Sequence, residues 1–214
     1  MLNLGHGENV VQRMVRLIKK YDNNAKITIV VGFMHSEIEK CLTGCNFIVN
    51  PFYSITNSIS SLWFSKENLN DDVTIINGDV VISEKLMKKV IAIQEDATVL
   101  LDSSIKKDGD YNVEICDDRV VVMSKELNKY HGEYVGITKL KKESAIVLQR
   151  EICNLVDGGF FNEWYENALV QMILNSDFQL SYIDVADFEW TEIDSVNNLL
   201  DARNLQKREW MCKA

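Results

Sequence analysis

"VTIINGDVVI", residues 73–82, decides how the chain is read. Val73-Thr74-Ile75-Ile76 is a β-branched run that meets Asn77-Gly78-Asp79, and a second apolar run, Val80-Val81-Ile82, follows. A continuous run of this kind, stopped by a turn signal, marks a strand buried on both faces, as in a parallel sheet. The run ends at a carboxylate. Ligands of open α/β sheets bind outside the carboxyl ends of the strands, so Asp79 stands where a binding group belongs. Taken alone, Asx-Gly-Asx at a strand end is usually just a turn.

Working outward, "KITIVVGF" (26–33), "NFIVN" (46–50) and "ATVLLDSS" (97–104) read as further strands. Between them lie helical patterns at 9–21, 35–42, 58–69 and 83–94, the last opened by Ser83 as N-cap. Strand and helix alternating through short connections give βαβ units, hence a largely parallel sheet covered on both faces. The second half differs. "YNVEICDDRVVVMSK" (111–125) predicts a hairpin about Asp117-Asp118. Strands follow at 133–140 and 181–186, with helices at 142–159, 162–174 (capped by Asn162) and 195–210. The whole reads as one α/β domain over 1–214, with a mixed sheet and a small β insertion near 105–135.

Composition excludes several classes. A formal net charge of -9 argues against nucleic acid as the main partner, because phosphate backbones need clustered Lys and Arg. No apolar run approaches a membrane span, and "MLNLGHGENV" lacks a signal peptide's regions, so a cytoplasmic protein without a membrane partner is expected. Cys41, Cys45, Cys116, Cys153 and Cys212 show no zinc spacing and read as reduced thiols. His6, His35 and His131 are scattered, which suits surface or loop positions.

"WTEIDSVNNL" (190–199) is the second candidate site. Glu192 and Asp194 alternate about Ile193, and Asp194 precedes Ser195 and a helix, which makes capping its plain reading. If Asp79 and Asp194 met at one sheet edge, their repulsion would call for a cation. Magnesium suits them, with its hard oxygen ligands and room for phosphate oxygens. Lys125, just after a strand, is either solvated or a point charge for an anion. Trp63, Tyr134, Trp164, Tyr165 and Trp190 have acidic or amide neighbours, so they are core residues or the walls of a cation-binding box.

These stretches, with "FIVNPFYSITNSISSLWFSKENL", "VVVMSKEL", "GEYVGITKL" and "GFFNEWYENALVQMI", resemble in order and spacing the nucleotidyltransferases of the sugar-phosphate and phosphocholine cytidylyltransferase type. The resemblance runs from about residue 2 to 205. It implies a Rossmann-like, nucleotide-diphospho-sugar transferase-like fold, with Asp79 and Asp194 holding Mg2+. It implies that the loop Asn50 to Ser58, chiefly Thr56, Asn57 and Ser58, faces the nucleotide together with Gly78. Lys125 would contact the acceptor phosphate, and Glu133, Tyr134, Trp164, Tyr165 and Trp190 would surround a cationic head group. The implied reaction is transfer of a nucleotidyl group, CMP from CTP, to a small phosphate such as phosphocholine, with release of pyrophosphate. A sugar-1-phosphate acceptor is the alternative, and an inactive nucleotide-binding or interaction module a second. A homodimer is compatible with either. A metal-dependent glycosyltransferase is disfavoured, since its D-x-D pair is missing around Asp79.

The family begins with a strand and a G-x-G-x-R loop, then a Pro-Lys pair. Residues 1–18 resemble the segment after that pair. Gly5-His6-Gly7 is therefore expected to be a turn before the first helix, with the first strand and phosphate loop outside 1–214. Residues 1–214 by themselves are expected to catalyse poorly.

Overall fold

The structure is a computed structural model describing residues 2–105, 111–176 and 178–211. A small hairpin, β1 (Asn3–Gly5) and β2 (Glu8–Asn9), runs directly into α1 (Val10–Tyr21). Gly5 and Gly7, at φ +100° and +76°, flank His6, so this stretch is the expected turn. Asn9 and Gln12 cap α1 reciprocally, each side chain accepting from the other's amide.

The alternation predicted for the first half is present. It comprises β3 (Thr28–Val31), α2 (His35–Lys40), β4 (Asn46–Val49), α3 (Ser58–Phe64), a 3-10 turn (Lys66–Asn70), β5 (Val73–Ile76), β6 (Val80–Ile82), α4 (Glu84–Ala92) and β7 (Thr98–Asp102). Ser83 caps α4 by accepting from the Leu86 amide. Then follow β8 (Asn112–Cys116), β9 (Arg119–Ser124), β10 (Gly132–Leu140), α5 (Lys142–Asp157), α6 (Glu166–Ser176), β11 (Ser181–Asp184), β12 (Trp190–Glu192) and α7 (Val196–Met211). Asp117 and Asp118 both adopt positive φ, 49° and 59°, and close the β8–β9 hairpin.

One helix boundary differs. α6 begins at Glu166, and Asn162 is not its cap. The preceding residues are held elsewhere: Phe161 O accepts from the Asn57 amide and Ser60 hydroxyl, and Glu163 O from the Ile59 amide. These bonds tie the segment to the start of α3 and keep it from joining α6.

β10 organises the sheet. It runs antiparallel to β7 along one side, and to β8 and then β5 along the other. β11 lies parallel to β7, and β9 extends the sheet beyond β8. Strand alternation sends Val99 and Leu101 of β7 to a core shared with Leu148 and Ile152 of α5 and Leu169 and Met172 of α6. Leu100 turns to the opposite core, with Leu17 of α1 and Leu86, Met87 and Val90 of α4. Helices thus cover both faces of a mixed sheet.

β3 and β4 pair in parallel but form a separate sheet among the described residues. The apolar runs at 26–33 and 73–76 read from sequence as buried strands, yet no residue of β5 is buried. Only Val31 of the four residues of β3 is buried, because among the described residues one edge of β3 has no neighbouring strand. The third small sheet pairs β6 with β12.

Arg13 ties α1 to this third sheet. Its Nη1 donates to Ile82 O and its Nη2 to Glu209 of α7, both at 2.7 Å. The other oxygen of Glu209 accepts from the Glu84 amide at the start of α4. Burial lowers the Arg13 pKa, against the raising influence of Glu209.

Cys41, Cys45, Cys116 and Cys153 form no disulfide among the described residues, and Cys212 lies outside them, as does part of the insertion, 106–110. The three histidines are exposed. No described helix is long and apolar enough to cross a membrane.

Candidate functional site

The β6–β12 pair builds the site. Glu192 stands opposite Val80, and the Ile193 amide donates to Asp79 O at 3.1 Å. This register sets Asp79, at the end of the β5 turn, beside the residues that leave β12. Carboxylate oxygens of Asp79, Glu192 and Asp194 all lie within 4.8 Å of one another. The Asp79–Asp194 pairing expected from sequence is thus formed, and Glu192 joins it as a third carboxylate. Its place follows from strand alternation, since Glu192 and Asp194 flank Ile193 and share a face. Ser195, not Asp194, caps α7: its hydroxyl accepts from the Asn198 amide.

β5 reaches this point through a distortion in β10. Four steps along β10, Tyr134 to Thr138, match two along β7, Leu101 to Val99. Gly136 sits in that bulge at φ +76° and accepts from the Asn77 amide at 2.9 Å. A Cβ there would lie 2.8 Å from Val80 Cγ2 and 3.1 Å from Asn77. Glycine therefore lets the Asn77-Gly78-Asp79 turn lie against β10.

Glu166, which the sequence reading passed over, lines the same cavity as the three carboxylates. It is 2% exposed, and its Oε2 has no hydrogen-bond partner among the described residues. Burial first, with Asp79 adding to it, pushes its pKa up to about 7, against hydrogen bonding from Asn77 and the charge of Lys125. It stands in the first turn of α6, where an acid also suits the helix dipole.

Lys125 and Trp164 also meet, with Nζ 4.4 Å from the ring centroid. Both line a cavity of 1320 Å³ together with Gly78, Asp79, Glu192 and Asp194. Tyr134 and Tyr165 form its buried wall, their hydroxyls bonded to each other and Tyr134 to Thr138 at 2.7 Å. Burial pushes both phenols well above their ordinary pKa, so both stay protonated.

The predicted head-group set does not form one box. Glu133 and Trp190 line a second cleft that shares only Glu192 and Asp194 with the first. Glu133 and Tyr134 are neighbours on β10 and so face opposite ways. The Trp190 indole donates to Asp102 at 2.7 Å. In the predicted nucleotide loop, Ser58 lines the large cavity and its hydroxyl accepts from the Tyr165 amide. Asn57 caps α3, and Thr56 is bonded to Asn50 and Phe52, so both order the loop.

The donor set tests well against a divalent cation. It consists of hard carboxylate oxygens on one point, with a buried and unpartnered carboxylate oxygen in the same cavity, which suits Mg2+ or Mn2+.

No family model matches the chain. A curated relative, the CMP-5'-(3-aminopropyl)phosphonate synthase of Streptomyces rubellomurinus, is 28% identical over 80 residues, 35% of this chain and 13% of that protein. Among solved structures, the CTP:phosphocholine cytidylyltransferase of Streptococcus pneumoniae superposes at TM-score 0.77 and 16% identity, over 94% of this chain and 87% of that one. The inositol-1-phosphate CTP transferase of T. maritima gives 0.73 and 16%, over 94% and 84%. A putative glucose-1-phosphate thymidylyltransferase of Bacillus anthracis gives 0.72 and 18%, over 95% and 84%. The chain shares the fold of these solved structures.

Proposed function

We propose that this site transfers a nucleotidyl group from a nucleoside triphosphate to a small phosphorylated acceptor. The observation that carries the reading is the convergence of Asp79, Glu192 and Asp194 beside Lys125, at the carboxyl end of β5. Those carboxylates would hold Mg2+, which when bound supplies positive charge to the phosphates and offsets what builds up in the transition state. The acceptor's phosphate oxygen forms a bond to the α-phosphorus. The bond from that phosphorus to the β-phosphate's bridging oxygen breaks, and pyrophosphate leaves with the electron pair. No side-chain nucleophile is needed, because such transfer depends on positioning and electrostatics.

Lys125 would meet the acceptor phosphate, held in place by its seat on Trp164. Ser58, Gly78 and the Thr56-Asn57 loop would border the nucleotide. The acceptor's head group has two candidate walls, Trp164 with Tyr134 and Tyr165 in the large cavity, and Glu133 with Trp190 in the second cleft. The aromatic and acidic lining favours an amine such as phosphocholine over a sugar. CTP as donor is supported by the names of the proteins above: two of the structures act with CTP, and the curated relative makes a CMP conjugate of an aminopropyl phosphonate.

The test is pyrophosphate release from CTP with phosphocholine and Mg2+, beside calorimetric binding of Mg2+ and CTP. Asp79→Asn is expected to weaken metal-dependent CTP binding at least about a hundredfold while the fold persists. Unchanged binding in that variant overturns the metal assignment. Binding without turnover in the parent chain supports instead a nucleotide-binding module that does no chemistry.

A further inference from the structure

Large apolar side chains stand in water where three segments of the chain meet beside the site. Phe33, Phe52, Tyr53, Ile55, Phe160 and Phe161 are each between 45% and 69% exposed. The turn after β3, 32–36, meets the loop before α3, 50–58, where the Phe33 and Tyr53 rings lie 6.3 Å apart. That loop meets the segment after α5, 158–162, where Phe161 O accepts from the Asn57 amide. Met34, beside Phe33, is held at φ 55°, a conformation unfavourable to a residue with a Cβ, and its side chain too is exposed.

This face also lacks charge. In a chain where 26% of residues are charged, 32–36, 50–58 and 158–162 hold no Asp, Glu, Lys or Arg. Of the charges that flank them, Glu37 pairs with Lys40, and Glu163 accepts from Asn167. Enrichment in aromatic residues and Met with depletion of charge is the composition of a protein–protein interface core. The size fits as well. The six side chains and Met34, about half exposed and at roughly 200 Å² apiece, offer about 700 Å² of apolar surface. That exceeds the roughly 300–600 Å² of the largest patch on a typical monomer. It approaches the ~800 Å² that each partner buries in a standard-size interface.

We infer that this face joins two copies of the chain about a twofold axis. Charge selects that occupant. Each copy carries a formal net charge of -9, so two copies repel over most of their surfaces. A twofold interface sets one patch against itself. A patch without charge can do so with no like-charge contact. An anionic membrane surface fits poorly, because the three segments hold no Lys or Arg to meet lipid phosphates. The pairing would also reach the site. Trp164, three residues beyond Phe161, is exposed on one side while its ring seats Lys125 and lines the large cavity. A second copy resting on Phe160 and Phe161 would cover the rim of the cavity beside Trp164. This inference does not depend on the proposed chemistry.

Sedimentation of the chain over a concentration series tests it, without nucleotide or metal. A dimer is expected with Kd in the micromolar range or tighter. Raising salt from about 0.05 to about 0.5 M should hold or tighten it, because salt screens the repulsion and leaves apolar burial intact. Phe33→Asp and Ile55→Asp each bring two carboxylates into the interface and should weaken dimerisation at least about a hundredfold. Both side chains are mostly exposed, so circular dichroism and thermal melting of the monomeric variants should match the parent chain. Leu174→Asp, at a similarly exposed position on α6, should leave the dimer unchanged. Three results overturn the proposal: a chain still monomeric at about 1 mM, which leaves the face to another occupant; a dimer that survives both substitutions; or a dimer that dissociates as salt rises, which moves the contact to a charged surface.

Discussion

The strands β3 and β7 are written in similar residues, Thr-Ile-Val-Val and Thr-Val-Leu-Leu-Asp, yet they live in different environments. All five residues of β7 are buried, between β10 and β11 and under helices on both faces. Among the described residues β3 has one neighbouring strand, and one of its own residues is buried. Residue type sets what a strand can tolerate, whereas its burial is set by what lies along both edges. One half of the molecule is accordingly a finished core, and the other is a finished pair of strands beside the large cavity.

The largest loss is expected where the finished core is locked. Arg13→Ala removes the donor to Ile82 O and leaves Glu209 without its 2.7 Å partner, at a cost of about 3–5 kcal/mol in urea unfolding. Leu148→Ala, in the core against β7, should cost about 2–5 kcal/mol. A loss below about 1 kcal/mol in either variant would mean that this half is as loosely built as the β3 side.

Much of this was legible in the sequence, for reasons that separate local from tertiary causes. The strand–helix alternation, the Ser83 cap and the Asp117-Asp118 hairpin depend on neighbours in the chain, and each is found where the pattern placed it. The approach of Asp79 to Asp194 was read through a resemblance, and the β6–β12 ladder now gives it a physical basis. What stayed hidden depends on distant contacts. Asn162 resembled a cap, but its segment is bonded to α3. Glu133 and Tyr134 resembled partners in one box, but adjacent strand residues face apart. Glu166 drew no notice in the sequence, because its burial at the start of α6 depends on tertiary packing.

Glu166 gives the next effect, at the border between the two halves. Its folded pKa of about 7 lies above the ordinary 4.5. Below pH 4.5 it is protonated both folded and unfolded, so folding buries no charge there. As pH rises through 7 the unfolded chain has already released the proton, and the folded chain must hold a buried charge. Stability from this group is therefore present at low pH and lost between about 4.5 and 7. At about 1.4 kcal/mol per pKa unit, the loss is roughly 3 kcal/mol. Urea unfolding in metal-free buffer at pH 5 and pH 8 should show this difference in the parent chain but not in Glu166→Gln. Equal pH dependence in the two would remove Glu166 as its source.

The smallest effect is the sharpest probe of the comparison. Ile29 of β3 lines the large cavity and is only half-buried, so Ile29→Ala removes side-chain atoms that are already partly in water. Its cost should stay below about 1 kcal/mol, well under the range for Leu148→Ala. A small cost shows that β3 is the less tightly packed of the two strands. A large cost would show that β3 is already packed, and the two halves would differ in topology alone.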